Sequence, residues 1–588
     1  MEPREQAMTQ SRQHIRPLPL GLQEFRDVIQ EGCVYVDKTR NIHELLQAPK
    51  CPYFLARPRR FGKSLLISTL EALFQGKREL FTDLWIGREG RWDWSKKYSV
   101  IRLDMSLIPR GTAEELKEGL AAFMRKIIRK HDLPVDPRQH PATLLQEAIE
   151  ELGQDNQVIV LIDEYDKPLI DHLGGRNAAH REQELEIAHA NRDVLRDFYT
   201  VLKGMGGYLR LVFVTGVSKF SKVSIFSGLN NLTDLTLAQD CATLLGYTQQ
   251  ELETNFAPHL RQLADEQSLS IPETLTQIKQ WYDGFRFSSR DIHVYNPFST
   301  LLLLRHKEFR AHWFQTGTPS FLVHLIKRVD KPRPEGLVGA KVAETSFDSY
   351  ELHKLPQNLL PLMVQTGYLT IKEYDSATRR YLLDYPNQEV REGFLENLLE
   401  SLANLPKGQA VTEMDRLTDA LAENDLEEFF VALRSVLAGV PYELHIALEK
   451  YYQSLFYLIH TLLGFRIQTE VSTNTGRIDA VIDLDNRTYV FEFKLEPGNP
   501  TPKKQLAEDS DGAERLKSPA AQAERAAELA EGHKELAQAA LRQIKDKEYH
   551  EKYLGKNKPV TLVGCVFTVN DMQGRPVRQA TAWVSEES

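Results

Sequence analysis

Residues 53–74 place an apolar run, a loop and an amphipathic stretch in the order strand, loop, helix. A loop before a helix N-terminus points backbone N–H groups and the positive end of the helix dipole at its contents, which suits an anion. Here Gly62 lets the backbone approach a phosphate, Lys63 can reach the β- and γ-phosphates, and Ser64 can bind Mg²⁺. Alone the tripeptide is a weak signal, because it also fits the start of a surface helix and because Arg57 replaces the first glycine of the usual pattern.

Two adjacent acids follow the most apolar run of the chain, residues 158–162. Carboxylates at the end of a buried strand are unfavourable unless something positive offsets them. A Mg²⁺ ion held by Asp163, with Glu164 polarising an attacking water, would suit the hydrolysis of ATP. The alternative is that both acids begin a solvated helix.

The next apolar run, residues 211–214, ends in Thr215, where a nucleotide hydrolase can keep a polar sensor near the γ-phosphate. Arg57, Arg59 and Arg60 lie in the loop itself, so nucleotide binding explains these cations more simply than contact with nucleic acid does. The predicted nucleotide-binding residues are Arg59, Arg60, Phe61, Gly62, Lys63, Ser64, Leu65 and Thr215.

These residues need a scaffold, and the pattern from residue 20 to about residue 221 predicts an α/β domain. Short runs that are apolar throughout indicate parallel strands with helices on both faces of the sheet. The predicted strands are residues 53–56, 99–104, 158–162 and 211–214.

Helical periodicity then takes over, and we interpret residues 241–440 as a helical lid or connector. Within it Arg286 is a candidate sensor or finger arginine for the γ-phosphate. Two helices are predicted near its end, over residues 417–438 and 442–460. A second α/β domain follows, with strands predicted at residues 465–471, 477–482 and 488–494.

The bulk composition is that of an ordinary globular protein of several domains. The chain has 588 residues, of which 42% are hydrophobic and 26% charged, and its four cysteines are widely spaced. The net charge of −9 argues against a general polyanion binder. With no apolar run of about 18 residues and no secretory h-region, we expect a cytoplasmic protein without a membrane contact.

Several motifs closely resemble a bacterial family called AAA-ATPase-like, over roughly the first 320 residues. The resemblance lies in residues 35–39, 57–64, 161–166, 215–221, 226–233, 295–298 and 313–318. It implies a P-loop ATPase core, and since the family's loop is also similar to RPRRFGKS, Arg57 is a family trait. It further implies a C-terminal, restriction-endonuclease-like α/β domain of the PD-(D/E)xK nuclease class.

The C-terminal sequence fits that implication. In the nuclease class an acid on one strand and a (D/E)xK trio on the next gather Mg²⁺, while the lysine orients or deprotonates a water. Asp479 lies on one predicted strand, and Glu492 and Lys494 lie on the next. Because side chains alternate between the two faces of a strand, Glu492 and Lys494 point to the same face. Asp479 and Glu492 are thus predicted metal ligands, for Mg²⁺ or Mn²⁺. The alternative is an exposed edge hairpin with a salt bridge.

Two further positions follow from the resemblance to the nuclease class. Glu449 lies where such nucleases often keep an acid near the metal, and Gln543 matches the glutamine of the helix after the ExK strand. Either could instead be ordinary helix surface. Glu470 is a weaker candidate, which we disfavour.

The predicted organisation is a flexible tail (1–17), an ATPase core (18–240), the connector (241–440) and a nuclease-like domain (441–588) with a mobile insertion (497–533). The expected function is ATP binding or hydrolysis that gates a Mg²⁺-dependent nuclease acting on DNA or RNA, in the manner of defence against foreign nucleic acid. The chain is expected to bind ATP and to be able to form a homo-oligomer. The alternatives are a nucleotide-dependent switch or scaffold without cleavage, and a transposon-encoded ATPase with a restriction-like remnant.

Overall fold

A computed structural model describes most of the chain in two compact units. Described residues up to Arg391 form the first unit, and those from Glu392 onward form the second. The described residues are 15–47, 52–154, 156–173, 178–219, 225–226, 231–313, 339–347, 359–403, 409–438, 466–472, 477–484, 486–496, 519–554, 558–570 and 576–587.

The predicted tail, residues 1–17, has only its end within the described residues. Arg16 Nη2 donates to the Cys33 carbonyl oxygen at 2.7 Å, and Val34 N donates to Pro17 O at 2.9 Å. The end of the predicted tail is therefore bonded to the first unit.

A parallel sheet forms the core of the first unit, as the sequence predicts. Among the described residues its strand order is β2-β3-β4-β1-β5, and every pairing is parallel. Every residue of β1 and β3 is buried, which requires cover on both faces. The strands are β1 Pro52–Ala56, β2 Ser99–Asp104, β3 Val158–Asp163, β4 Leu209–Gly216 and β5 Thr233–Asp234.

Helices surround this sheet because their apolar faces pack onto it. Leu66, Ile67 and Leu70 of α3, for example, share one core with Leu161 and Phe213. The helices of the first unit are α1 Phe25–Gln30, α2 Thr39–Leu45, α3 Lys63–Phe74, α4 Trp85–Arg88, α5 Ala113–Lys130, α6 Pro141–Leu152, α7 Lys167–Ile170, α8 Ala178–Gly204, α9 Gln249–Asn255, α10 Ala257–Gln267, α11 Ile271–Tyr282, α12 Pro297–His306 and α13 Leu359–Thr366.

The predicted connector, residues 241–440, is neither purely helical nor a unit of its own. Its described residues up to Arg391 belong to the first unit and the rest to the second. It also contains a two-stranded and a three-stranded antiparallel sheet. Their strands are β6 Phe285–Arg286, β7 His293–Val294, β8 Lys341–Ala343, β9 Thr370–Asp375 and β10 Arg380–Asp384.

The second unit contains a mixed sheet with the strand order β11-β12-β13-β14-β15. The three predicted strands are confirmed, and α17 connects the parallel pair β13 and β14. The strands are β11 Arg466–Ser472, β12 Arg477–Asp483, β13 Thr488–Glu496, β14 Val560–Asn570 and β15 Pro576–Glu587. The helices from residue 388 onward are α14 Gln388–Ala403, α15 Gln409–Ala422, α16 Leu426–Ala438, α17 Pro519–Asp546 and α18 Glu551–Leu554.

The single helix predicted over residues 417–438 is two helices. Asn424 lies in the left-handed region, with φ of 60°, and ends α15. Asp425 then begins α16, because its Oδ1 accepts a hydrogen bond from Glu428 N at 2.9 Å. The other helix, predicted over residues 442–460, lies outside the described residues.

The predicted insertion, residues 497–533, enters the described residues at α17, which begins at Pro519. No helix in the described part of the chain combines the length and the apolar character needed to span a membrane.

Candidate nucleotide and metal sites

The phosphate loop joins β1 to α3, as the sequence predicts. Gly62 is the N-cap of α3 and has φ of 90°, a left-handed conformation that glycine adopts without a steric penalty. Lys63 is only 6% exposed, and its Nζ donates to the carbonyl oxygens of Arg57 and Pro58, both at 2.9 Å. Burial lowers the pKa of Lys63, while the carboxylate of Asp163 opposes that shift. The ammonium group of Lys63 therefore lies across its own loop and is bonded to the backbone where that loop begins.

The two predicted acids lie where β3 ends, beside the end of β4. Thr215 is fully buried and its Oγ1 donates to Asp163 Oδ1 at 2.6 Å, while Glu164 N donates to the same oxygen at 3.0 Å. Glu164 has φ of 51°, and burial raises the pKa of its carboxyl group. Thr215 is thus in direct contact with the candidate metal ligand, and it positions that acid.

Asp166 belongs to this site but was not among the predicted site residues. It is 1% exposed and accepts hydrogen bonds from Ser218 N at 2.8 Å, Ser218 Oγ at 2.9 Å and Val217 N at 3.1 Å. Burial raises its pKa. These bonds tie the segment after β3 to the segment after β4. The only sequence signal was its place in the motif of residues 161–166.

Arg57 does not face the phosphate site, contrary to expectation. Its guanidinium group is 1% exposed and donates to the carbonyl oxygens of Ala56, Thr236 and Cys241 at 3.0, 2.6 and 3.0 Å. It also lies 4.2 Å from the centroid of the Phe287 ring. Burial lowers the pKa of Arg57 to about 10, so the group stays charged at neutral pH. It supports the fold beneath the loop.

Arg286, the candidate finger arginine, is likewise engaged within the fold. It is 5% exposed, and its guanidinium group donates to the carbonyl oxygens of Ser288, Ser289 and Lys372 and to the carboxylate of Asp291. This arrangement stabilises the turn between β6 and β7. The geometry therefore does not support contact between Arg286 and a γ-phosphate.

A cleft with about 570 Å³ of open space lies beside the phosphate loop. One wall is the loop and the first turns of α3, including Phe61, Gly62 and Leu65. The other walls come from the segments around Tyr35 and Tyr247. Its lining is mostly apolar, as a planar base requires. The sequence marked residues 35–39 as a motif but did not assign them to a binding wall.

The second candidate site lies on β13, the central strand of its sheet. Glu492 is 3% exposed, so the alternative of an exposed edge hairpin is wrong. Ala480 pairs with Phe491 across β12 and β13, which sets Asp479 beside Glu492. Asp479 Oδ2 accepts a hydrogen bond from Phe493 N at 2.8 Å. The two predicted carboxylates therefore lie next to each other.

Gln543 connects the acid and the lysine of this site. Its Oε1 accepts a hydrogen bond from Lys494 Nζ at 2.7 Å, and its Nε2 donates to Glu492 Oε1. Lys494 Nζ also lies 3.6 Å from Glu492 Oε1. Of the two alternatives for Gln543, a place in the site rather than on the helix surface is therefore the one that the geometry favours.

Gly564 allows α17 to reach this network. Gly564 pairs with Glu492 on the neighbouring strand. A Cβ atom at this position would lie 2.7 Å from Leu541 N, and closer still to the Ala537 carbonyl oxygen. The backbone of the helix thus packs directly on β14, two residues before Gln543.

Both sites offer oxygen ligands, which Mg²⁺ prefers in proteins. By the chemistry of their oxygen atoms, Asp163 and Ser64 would hold such an ion at the first site, and Asp479 and Glu492 would hold it at the second. Among the described residues, no group of three or more His, Cys, Asp and Glu side chains is arranged to hold a metal. Glu449 lies outside the described residues, as does the side chain of Glu470.

Comparisons with known proteins match this division. A family model described as "Predicted AAA-ATPase" matches residues 19–226, and one described as "PD-(D/E)XK nuclease superfamily" matches residues 447–574. A protein of Azotobacter chroococcum mcd 1, named "Uncharacterized protein in vnfD 5'region", is 34% identical over 568 residues, which cover 94% of this chain and 96% of the relative. The chain belongs to this family of AAA-ATPase-like proteins with a C-terminal nuclease-superfamily domain.

The family places each site in a domain of its own. The AAA-ATPase-like match contains Lys63, Asp163 and Thr215, and the nuclease-superfamily match contains Asp479 and Gln543. The α/β architecture and both domain families expected from the sequence are thus confirmed. The roles of the individual residues remain predictions.

Proposed function

We propose that the protein binds and hydrolyses ATP and uses the nucleotide state to control a Mg²⁺-dependent nuclease that cleaves DNA or RNA. The observation that carries the nuclease half is the network of buried Glu492, Gln543 and Lys494 beside Asp479. The AAA-ATPase-like domain, with Lys63 at the start of the helix that follows β1 and Asp163 at the end of β3 in the same parallel sheet, supports the ATPase half.

At the first site, Asp163 and Ser64 would hold Mg²⁺, which would neutralise phosphate charge. Lys63 exchanges its two loop carbonyl partners for phosphate oxygens. Glu164, whose pKa is raised by burial, is suited to accept a proton from an attacking water. Thr215 holds Asp163 through the bond to Oδ1, and the base of the nucleotide occupies the apolar cleft.

At the second site, Asp479 and Glu492 would hold Mg²⁺, which would activate water and stabilise the charge of the phosphodiester transition state. Lys494 orients the attacking water. Gln543 fixes the position of Lys494 through its Oε1 and of Glu492 through its Nε2. The carboxylate of Glu492, which is only 3% exposed, is unfavourable without a cation nearby. Lys494 supplies one positive charge, and the metal ion would supply another.

The nuclease proposal is tested with the purified full chain, single- and double-stranded DNA and RNA, and Mg²⁺ or Mn²⁺, with and without ATP. Asp479→Ala and Lys494→Ala should each lower cleavage by at least about 10²-fold. Lys545→Ala is the matched control, because Lys545 lies on the same helix as Gln543 but pairs with Glu586. Cleavage that persists in both site variants would assign it to another site or to a contaminant.

The ATPase proposal is tested by nucleotide titration and by phosphate release. Lys63→Ala should abolish nucleotide binding, whereas Glu164→Gln should bind nucleotide and hydrolyse it about 10²-fold more slowly or worse. Lys130→Ala, at the exposed end of α5, is the control. Nuclease activity of Lys63→Ala at the full rate, with no ATP response, would refute control by the nucleotide.

A second candidate function is a nucleotide-dependent switch or scaffold whose nuclease-like domain binds nucleic acid without cutting it. The observation that favours it is that the described residues contribute only two adjacent carboxylates, Asp479 and Glu492, and no larger metal-binding cluster. Binding of a labelled oligonucleotide without cleavage of any substrate would select this function over the first.

We further propose that the active protein is cytoplasmic, works as a homo-oligomer and acts against foreign nucleic acid. Mass measurement in solution with and without ATP tests the oligomer. Protection of an expressing bacterium from phage, which Lys494→Ala should abolish, tests the defence role. Protection by that variant equal to that of the natural chain would contradict it.

A further inference from the structure

Aromatic residues between Phe285 and Trp313 have no role in the chemistry proposed above, yet they contact the phosphate loop at three places. Phe285 and Phe287 pack edge-on against Phe61, with ring centroids 4.9 and 5.4 Å away. Arg60, with φ of 67°, lies over the ring of Phe298 at 4.7 Å. The loop is therefore surrounded by aromatic side chains from one later segment.

Trp313 makes the most directional of these contacts. It is 3% exposed, and its indole Nε1 donates to the Arg59 carbonyl oxygen at 3.2 Å. Its ring also packs against Tyr368, with centroids 5.1 Å apart. Arg59 belongs to the loop that would surround the phosphates, so a change in loop conformation on binding would move the acceptor of this bond.

The backbone of Trp313 makes a second bond, to a different element. Trp313 N donates to Glu389 Oε1 at 2.8 Å, and Glu389 is completely buried in the first turn of α14. Asn387 begins this helix, since its Oδ1 accepts from Val390 N at 3.0 Å, and its Nδ2 donates to the Asp283 carbonyl oxygen at 2.8 Å. The same helix contains residues 391 and 392, where the chain passes from the first unit to the second.

A glutamate side chain is rarely buried as completely as that of Glu389, so packing alone does not explain its presence. An apolar side chain would fill the same volume without removing a polar group from water. Glu389 accepts a hydrogen bond from Trp313 N, and Trp313 in turn donates to the phosphate loop. The two bonds of Trp313 thus form one chain of direct contacts from the loop backbone to the helix.

We propose that Trp313 is a positioning residue that couples the conformation of the phosphate loop to the first turn of α14. Nucleotide binding at the loop then changes the stability of this turn and, along the helix, the segment that enters the C-terminal unit. The inference rests on the proposed nucleotide binding. It adds the residue through which a change of nucleotide state at the phosphate loop would act on α14.

The test is amide hydrogen exchange of residues 388–395 in the full chain, with and without the non-hydrolysable ATP analogue adenylyl imidodiphosphate. In the natural chain the analogue should change the exchange rate of these amides by at least about fivefold. Trp313→Phe keeps an aromatic ring and removes the indole donor. It should reduce this change to less than about twofold, although it still binds the analogue.

Glu389 provides a second pair of variants in case Trp313→Phe folds poorly. Glu389→Gln retains an acceptor for Trp313 N and should keep the response, whereas Glu389→Met has a similar volume, lacks the acceptor and should lose it. Trp94→Phe is the matched control, because Trp94 packs on Phe81, which is not a residue of the phosphate loop. The double variant Trp313→Phe/Glu389→Met should lose no more than either single variant, as expected for one pathway.

Each outcome is decisive. A full response in both Trp313→Phe and Glu389→Met would overturn the coupling, and so would an equal loss in Trp94→Phe. If the natural chain bound the analogue without any change in residues 388–395, the inference would fail and the proposed nucleotide binding would stand. If the natural chain bound no analogue in a separate titration, both would fall.

Discussion

Replacing Gly564 by alanine should damage the nuclease site without touching any of its predicted catalytic side chains. Real Cβ atoms essentially never approach other atoms closer than 3.0 Å, whereas this one would meet the backbone of α17 at Leu541 N and Ala537 O within that limit. Backbone atoms cannot rotate away. The helix must therefore move off β14 by several tenths of an ångström at Leu541 and by roughly an ångström at Ala537.

Such a shift is large compared with the tolerance of the network. Lys494 Nζ and Gln543 Oε1 are 2.7 Å apart, and an added shift of roughly an ångström exceeds the usual limit of about 3.2 Å for a hydrogen bond. Overpacking of this kind typically costs about 1–3 kcal/mol. Misplacement of a supporting group by about 1 Å can lower a rate by about 10²-fold. For Gly564→Ala we therefore expect α17 to be less stable by about 1–3 kcal/mol and the rate of cleavage to fall by about 10²-fold.

The assay combines hydrogen exchange of residues 533–546 with cleavage of an oligonucleotide. Gly532→Ala is the matched control, because Gly532 lies in the same helix and its Cβ would contact nothing within 4 Å. That variant should gain up to about 1 kcal/mol of helix stability, since alanine is the better helix former. Equal protection of the helix in both variants would refute the reasoning.

Three further predictions concern the first unit. Arg57→Gly, which restores the usual first glycine, should lower the free energy of unfolding by about 3 kcal/mol or more. The substitution leaves a buried cavity and removes the hydrogen-bond donor of the Thr236 and Cys241 carbonyl oxygens. Denaturant titration checks this loss, and tighter nucleotide binding by the variant would contradict the structural role of Arg57. Burial raises the pKa of Glu389 from 4.5 to about 8, so its stabilising contribution is complete below pH 4.5 and is lost as the pH rises through 8. Thermal unfolding of Glu389→Gln should lack this loss, which is at most about 1.4 kcal/mol per pH unit, and identical pH profiles would refute it. Thr215→Val should slow ATP hydrolysis about tenfold or more through the lost bond to Asp163, whereas Thr215→Ser should retain it.

The sequence located both sites because their main signals are local. A buried run ending in acids predicts a strand whose carboxyl end carries chemistry, and Asp163 and Glu164 lie there in the structure. Alternation along β13 predicts that Glu492 and Lys494 share a face, and their 3.6 Å separation agrees. Two-residue alternation and continuous apolar runs are local patterns that do not depend on distant parts of the chain. Strands that carry such patterns can therefore be predicted from the sequence alone.

Residues whose partners are distant in the sequence could not be assigned in this way. Arg57 is surrounded by basic neighbours in the sequence, yet its partners are the carbonyl oxygens of Thr236 and Cys241, about 180 residues later. Arg286 is bound within its own turn and by Lys372 O. A cation near a phosphate loop has the same sequence signature whether it faces the ligand or the core, and only the tertiary packing distinguishes the two.

The place of Arg57 also changes how the phosphate loop itself should be understood. The first glycine of the usual pattern keeps the loop compact near the ligand, whereas here a buried guanidinium group fixes the start of the loop to Thr236 and Cys241 and stacks on Phe287. The same later segment supplies Trp313, which binds the loop at Arg59. A loop anchored at one end by a cation and held at its middle by an indole can change conformation only together with these partners. The departure from the usual pattern is therefore better explained as attachment of the loop to the segment that follows the sheet than as loss of nucleotide binding.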